Sequence, residues 1–156
     1  EIGGWLARQK TQPRPATLLH CDIKLDNLIL DPKTLHPVAL VDWDMGTRGD
    51  PLFDLATLLS YWTEPDDPPA MHDMAQMPTA GPGFQTRDEI AKLYGETTGL
   101  DLSDLPVIRV LCLFKLATVF HQLHATYGRG KGARDPYRGF DRLALGLYEF
   151  ARDSAR

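Results

Sequence analysis

The chain has 156 residues, of which 43% are hydrophobic and 24% are charged, and its net charge is −4. This length suits one domain, and the mildly acidic balance disfavours nonspecific binding to nucleic acid or to anionic membranes. No uninterrupted apolar run approaches the roughly 20 residues needed to cross a bilayer, and two cysteines are too few for a disulfide framework. We therefore expect a globular, cytoplasmic chain without a nucleic-acid or membrane partner.

The first third of the chain predicts short strands. After a proline-containing break at 12–15, residues 17–19 form a brief β-type run. Two further apolar runs, 28–30 and 38–41, flank the turn sequence at 31–34, which begins with Asp-Pro. This arrangement is typical of a β-hairpin.

Residues 50–85 predict one helix followed by a loop. Asp50 and Pro51 indicate a helix start, because aspartate caps free N–H groups and proline fits the first turn. The stretch 64–85 is rich in proline and methionine, which predicts a loop excursion. Its methionines favour a mobile segment over the wall of a substrate path; they are Met71, Met74 and Met77.

The remainder of the chain predicts helices. Thr86 and Glu89 have the spacing of a capping box. A long apolar helix over 103–127 carries apolar residues on more than one face and is expected to be the buried central helix, and a final amphipathic helix covers 140–151. The predicted fold class is therefore α+β, mainly α.

A group of polar residues surrounds one end of the predicted hairpin. Asn27 directly precedes its first strand, and Asp42 directly follows its second. Because a hairpin brings these two points together, we expect both side chains to lie at the same end. Two oxygen ligands suit Mg²⁺, which takes one or two carboxylates plus substrate phosphates.

Two residues of the preceding loop suit phosphoryl transfer at the same place. Asp22, on a tight loop before Asn27, can face the metal site without ligating the metal. That position suits a base that accepts a proton from an attacking hydroxyl. Lys24 can place a point charge against a transferring phosphoryl group.

These spacings match a known pattern. His20, Asp22 and Asn27 follow the order H-x-D-x-x-x-x-N, and with Asp42 at a strand end they resemble the catalytic loop and metal-binding aspartate of kinase-like phosphotransferases. The run Gly-Asp-Pro-x-x-Asp-Leu-Ala at 49–56 is similar to the aminoglycoside phosphotransferase and choline kinase group rather than to protein kinases.

The resemblance extends beyond these motifs. Within the group, residues 94–99 and 114–117 are similar to the kinase-like domains fused to some acyl-CoA dehydrogenases. For the acceptor, aminoglycoside, choline-like, homoserine-like and hydroxyacyl compounds all remain open. The resemblance slightly favours a hydroxylated acid or an acyl thioester over an antibiotic.

The resemblance implies roles for individual residues. Asp22 is expected to be the catalytic base, and Asn27 and Asp42 are expected to be the Mg²⁺ ligands. His20 would support the catalytic loop, and Asp54 would be a structural acid, buried at a helix start, that binds the loop backbone.

The remaining implied roles concern the nucleotide. Ile29 and Val41 would form the apolar floor of the adenine pocket, and Lys24 matches the catalytic-loop lysine of protein kinases at that offset. The implied cofactors are Mg²⁺ and ATP or another nucleoside triphosphate. The implied partner is a small molecule that carries a hydroxyl group.

The chain departs from the family pattern in two ways. Cys21 stands where the family usually has glycine, and at positive φ its Cβ would cost about 1 kcal/mol. A small residue filling the loop is favoured there over a redox-sensitive thiol. There is also no glycine-rich loop followed by a strand lysine and a helix glutamate.

These observations predict the domain organisation. Residues 1–156 are expected to be the helical C-terminal lobe of a protein-kinase-like fold, with one small β-hairpin that carries the catalytic loop and metal site. The N-terminal nucleotide-binding lobe is expected to be missing, so the predicted small-molecule kinase activity would not occur in this chain alone.

Two alternative functions and a possible oligomeric state stay open. A non-catalytic, pseudokinase-like lobe or fragment would act through protein contacts. A metal-dependent phosphoesterase would use the same acidic pair, although Asn27 and Lys24 fit the handling of nucleotide phosphates better. The exposed surface of a lone lobe would also allow a homo-oligomer.

Overall fold

The computed structural model describes residues 1–128 and 137–156. The strands in this part of the chain are β1 (Thr17–Leu19), β2 (Leu28–Leu30), β3 (Pro37–Leu40) and β4 (Thr47–Gly49). The helices are α1 (Ile2–Leu6), α2 (Leu52–Tyr61), α3 (Pro69–Met74), α4 (Arg87–Thr98), α5 (Leu105–Tyr127) and α6 (Phe140–Ser154). Helix makes up about half of the chain and the strands are few and short, which confirms the prediction of a mainly α fold.

Two small antiparallel sheets form in the first third. The predicted hairpin is confirmed as β2 and β3, with Leu28 opposite Leu40. β1 pairs with β4. This pairing was not predicted, because the three residues of β4 carry no apolar alternation. A Cβ at Gly49 would lie 2.9 Å from a methyl carbon of Leu19, so a larger residue there would force the Leu19 side chain to shift.

Helix α2 begins where the sequence predicts. The Asp50 carboxylate accepts a hydrogen bond from the backbone N–H of Leu52 over 2.9 Å, which satisfies one of the free donors of the first turn. The apolar face of α2 is buried against α5, where Leu55 and Leu59 join a cluster that includes Ile108 and Cys112.

Helix α5 is the central helix, as predicted. One of its faces, with Leu113 and Ala117, is buried among residues of α3 and α6, and another face packs on α2. The helix begins at Leu105, two residues after the predicted start. The Asp104 carboxylate just before it accepts a hydrogen bond from the Gln12 backbone over 2.8 Å and pairs with Arg14 over 2.9 Å.

Among the described residues, α5 is long and apolar enough to cross a membrane by length and composition. This was not predicted because Arg109 and Lys115 interrupt its apolar runs. α2 and α6 cover two of its sides, where Ile108, Leu113 and Ala117 are buried, whereas Leu111 and Val119 are exposed.

The prediction of a loop excursion over 64–85 is wrong where the chain forms α3, and the burial of its methionines argues against a mobile segment. The segment contains α3, and its three methionines are buried: Met71, Met74 and Met77. α3 packs against α6 in the cluster around α5. Thr63 and Thr79 also exchange hydrogen bonds of 2.8 and 3.0 Å, which close the segment at its base.

The remaining helix predictions hold. The capping box of Thr86 and Glu89 is formed at the start of α4. Helix α6 begins at Phe140 and buries Ala144, Leu147 and Ala151 against α5.

Candidate active site

A carboxylate on α2 fixes the loop that follows β1. Asp54, in the first turn of α2, accepts hydrogen bonds from the backbone N–H groups of His20 and Cys21, each over 2.7 Å and each to a different oxygen. Hydrogen bonds to an ionised acceptor are short and strong. The two bonds therefore tie the start of the predicted catalytic loop, residues 20–27, to the helix.

Cys21 has the conformation that the family's glycine would adopt easily. Its φ is +65°, in the left-handed region where a Cβ costs about 1 kcal/mol, and the hydrogen bonds that the backbone N–H groups of His20 and Cys21 donate to Asp54 offset this strain. The side chain is buried, and burial raises the pKa of the thiol. The protonated, buried thiol fills space in the loop and is not a reactive nucleophile.

His20 connects the loop to the hairpin. Its buried ring lies 4.6 Å from the ring of Trp43. The backbone N–H of Asp22 donates to Nδ1 over 3.3 Å, so Nε2 carries the proton and donates to the carbonyl oxygen of Val41 over 2.8 Å. The imidazole therefore joins Asp22 to the residue that precedes Asp42.

The carboxylate of Asp22 accepts three hydrogen bonds. The Tyr61 hydroxyl donates to Oδ1 over 2.7 Å, and Oδ2 receives Lys24 Nζ over 3.0 Å and Asn27 Nδ2 over 3.1 Å. Burial acts to raise the pKa of Asp22, but the bonds from Tyr61, Lys24 and Asn27 outweigh it and hold the pKa below its usual range. Asp22 is therefore an ionised carboxylate at neutral pH.

Asn27 is oriented by the same group. It is buried, and its amide nitrogen donates to both the carbonyl oxygen and the carboxylate of Asp22, over 2.8 and 3.1 Å. Since both partners are acceptors, the nitrogen faces Asp22 and the side-chain oxygen points elsewhere. That oxygen is the atom that a hard cation would bind.

The structure brings Asn27 and Asp42 to one end of the hairpin. The backbone N–H of Val41 donates to the carbonyl oxygen of Asn27 over 2.9 Å, and Asp42 is the next residue. Asp42 is exposed and has a φ of +65°, so the chain turns sharply there.

This donor set fits Mg²⁺ that arrives with a nucleotide. Within residues 1–128 and 137–156, no group of three His, Cys, Asp or Glu side chains could hold a metal by itself. One carboxylate and one amide oxygen match the few protein ligands that Mg²⁺ takes when phosphates and water supply the rest.

The two predicted adenine-floor residues lie on the hairpin. Ile29 is 49% exposed and pairs with Ala39, and Val41 is 38% exposed and lies two residues beyond Ala39. Alternate residues of a strand point to the same side, so Ile29 and Val41 share one face of the hairpin.

A cavity of about 220 Å³ adjoins Asp22. Its walls come from the predicted catalytic loop, α2 and α5. Lys115 is the one basic residue among those that line it. The lining residues are Asp22, Met45, Thr57, Ser60, Tyr61, Cys112, Lys115, Leu116 and Val119. A larger cavity of about 620 Å³ lies between α1, β1 and α5, but Asp22 does not line it. Of these two cavities, the smaller is therefore the one that Asp22 lines.

Tyr61 was not among the predicted site residues. It lies seven residues after Asp54, or about two turns of α2, so both side chains project from the same face of the helix. The spacing from Asp54 was the available signal, but an apolar helix position gives no reason to expect a contact with Asp22.

Comparison with known proteins identifies related chains. The family model described as "Phosphotransferase enzyme family" matches residues 4–93, which include all of the site residues named above from the loop, the hairpin and α2. Acyl-CoA dehydrogenase family member 11 of Mus musculus is 30% identical over 120 residues, covering 76% of this chain and 15% of that protein. The member 11 protein of Rattus norvegicus is 28% identical, covering 86% of this chain and 18% of its own length.

Acyl-CoA dehydrogenase family member 10 of Mus musculus is 25% identical over 153 residues, covering 97% of this chain and 14% of its own length. The chain thus spans between 14% and 20% of the curated relatives it matches. Among solved structures, a candidate aminoglycoside phosphotransferase from Ralstonia eutropha JMP134 superposes with a TM-score of 0.73 at 23% identity. The match covers 97% of this chain and 48% of that one, and it shows the fold.

These matches confirm the resemblance seen in the motifs. The structural neighbour shares the fold of this chain. The family model covers more than half of the chain, so the chain belongs to the phosphotransferase enzyme family.

Proposed function

We propose that this chain is the catalytic lobe of a small-molecule kinase, which transfers the γ-phosphoryl group of ATP or another nucleoside triphosphate to a hydroxyl group. The observation that carries the proposal is the position of Asp22. Its carboxylate is ionised, lines a cavity of about 220 Å³, and is bound to Asn27 at the end of the hairpin where Asp42 follows. Membership of the phosphotransferase family supports the class of reaction.

Asp22 is assigned as the catalytic base. A hydroxyl group in the cavity would donate a hydrogen bond to the carboxylate, which orients the oxygen for in-line attack and takes up its proton. A positioned base contributes roughly 10²–10⁴-fold to the rate. Lys24, whose ammonium group lies 3.0 Å from Asp22, would place its positive charge near the transferred phosphoryl group.

Asn27 and Asp42 are assigned as the protein ligands of Mg²⁺. When bound, the ion neutralises the negative charge of the nucleotide phosphates. The exposed apolar face that carries Ile29 and Val41 is assigned to the adenine ring, which needs an apolar surface beside the phosphate site.

The proposal places residues 1–156 in the C-terminal lobe of a kinase-like fold in the cytoplasm. A separate nucleotide-binding lobe would supply the remaining contacts to the nucleotide. The solved structure that matches this chain supports this division, because the chain covers 48% of it. Turnover is therefore expected in the longer protein that contains both lobes.

The direct test is transfer of labelled γ-phosphate from ATP to a panel of hydroxyl compounds with Mg²⁺ present. The proposal predicts a phosphorylated product that depends on the hydroxyl group and on the metal. Release of phosphate from a phosphorylated compound without nucleotide would instead indicate a phosphoesterase. A chain that binds no nucleotide even with both lobes present would indicate a non-catalytic lobe.

The metal assignment predicts an effect of Asp42→Ala. Loss of one of two protein ligands should weaken the binding of Mg²⁺–ATP by about tenfold or more, measured by calorimetry. Asp44→Ala is the matched control, since Asp44 is an exposed aspartate two residues away. Equal affinities for the two variants would contradict the assignment of Asp42.

A further inference from the structure

The two oxygens of the Asp22 carboxylate have different surroundings. Oδ2 accepts from Lys24 over 3.0 Å and from Asn27 over 3.1 Å, whereas Oδ1 accepts, among the residues that the structure describes, from Tyr61 alone, over 2.7 Å. An ionised carboxylate oxygen offers about two lone-pair sites. Both sites of Oδ2 are therefore occupied, and one site of Oδ1 is left for a further donor.

Tyr61 is itself held on several sides. It is the last residue of α2, and its ring packs against the buried cluster of α3, α5 and α6. Lys24 Nζ lies 5.9 Å from the centre of the ring, so the cation that binds Oδ2 also rests over the residue that binds Oδ1. The Tyr61 hydroxyl therefore approaches Asp22 from a fixed position.

We propose that Oδ1 of Asp22, left with a free site because Lys24 and Asn27 fill Oδ2, accepts the acceptor's proton, and that Tyr61 is the positioning residue that holds this oxygen in the wall of the cavity. This inference rests on the proposed function, because it assigns an atom to the base of that reaction. Asp22 and Tyr61 both line the same cavity. Because Lys24 and Asn27 fill Oδ2, Oδ1 is the oxygen with a site for a hydroxyl group that enters there.

Tyr61 acts only as a donor in this arrangement. Burial, together with the hydrogen bond to Asp22 and the charge of Asp22, raises the pKa of the phenol far above its usual value. The hydroxyl thus keeps its proton at physiological pH. It orients the base without replacing it.

The test uses Tyr61→Phe, which retains the ring and its packing and removes only the hydroxyl. In the protein with both lobes, kcat is expected to fall about tenfold or more while KM for the nucleotide stays nearly unchanged. Tyr148→Phe is the matched control: its hydroxyl lies 3.0 Å from that of Thr118, between α5 and α6, and its loss should leave kcat unchanged.

A crystal structure of Tyr61→Phe supplies a second readout that does not depend on turnover. The Asp22 carboxylate is expected to rotate or to occupy more than one orientation, because Oδ1 has lost its single partner. An unmoved carboxylate, or an unchanged kcat, would overturn the assignment of Tyr61. Absence of transfer in the wild-type protein would contradict the proposed function, and the carboxylate orientation would still decide the role of Tyr61.

Discussion

At the residue scale, burial acts to raise the pKa of both Asp22 and Cys112, which line the smaller cavity, but the outcomes for the two groups differ. Asp22 stays ionised because three donors outweigh its desolvation. Cys112, in the wall of the same cavity, has no comparable stabilisation of its anion, so burial raises the pKa of its thiol to about 11. The same loss of solvent thus leaves a charged carboxylate beside an uncharged thiol.

The state of Cys112 predicts a pH dependence of stability. A group whose pKa is higher in the folded state stabilises the fold fully below its unfolded pKa and loses that contribution as pH rises to the folded pKa. The free energy of unfolding of the wild type, relative to that of Cys112→Ala, should therefore fall between pH 9.0 and about 11. Urea unfolding at several pH values measures this difference, and a constant difference would refute the expectation.

The spacing of residues in the sequence indicated some of these contacts and not others. Asn27 and Asp42 were expected together because a hairpin imposes their proximity, and the bond from Val41 to Asn27 shows it. The contact between Tyr61 and Asp22 joins positions 39 residues apart. It depends on how α2 lies against the loop, which no local pattern in the sequence specifies.

At the element scale, α2 organises the site through both of its ends. Asp54 in its first turn binds the loop backbone, and Tyr61 at its last residue binds Asp22. Between them, an apolar face buried against α5 holds the helix in place. The orientation of the Asp22 carboxylate therefore depends on one short helix.

Replacement of the helix carboxylate should loosen the loop. Asp54→Ala removes two hydrogen bonds to an ionised acceptor and is expected to lower the free energy of unfolding by about 2–4 kcal/mol. Asp66→Ala is a suitable control, since Asp66 is exposed in a loop. Equal unfolding midpoints in urea for the two variants would show that Asp54 does not hold the loop.

Helix α3 shows where composition misleads. Proline and methionine suggested an excursion, but proline is also compatible with a first helical turn, and Pro69 occupies that position. Methionine fills irregular gaps in cores as readily as it lines surfaces. The partners of Met71 lie on α5 and α6, far along the sequence, so local composition could not separate these outcomes.

The packing of α3 predicts a large effect at Met71, which has no exposed surface. Met71→Ala should leave a cavity and lower the free energy of unfolding by about 2–5 kcal/mol. Met45→Ala deletes the same side chain at a position that is 51% exposed, and it should have little effect on stability. Urea denaturation of both variants makes the comparison, and a small effect at Met71 would argue against its place in the core.

At the scale of the whole molecule, two apolar clusters share α5, and the candidate site adjoins both of them, one through Tyr61 and the other through Cys112. The predicted class, mainly α with one hairpin, followed from helical periodicity and from the turn at residues 31–34. The pairing of β1 with β4 did not, because it depends on backbone contacts between segments with no apolar pattern. The site thus joins a predictable hairpin to a helix whose placement is set by the core.

The proposed function depends most on Asp22 as the base. The deciding measurement is phosphoryl transfer by Asp22→Ala in the protein with both lobes, beside Asp26→Ala, which alters an exposed aspartate of the same loop. We expect Asp22→Ala to lose turnover by roughly 10²-fold or more, with nucleotide binding nearly unchanged and Asp26→Ala close to the wild type. Undiminished turnover in Asp22→Ala would contradict the assignment of the base.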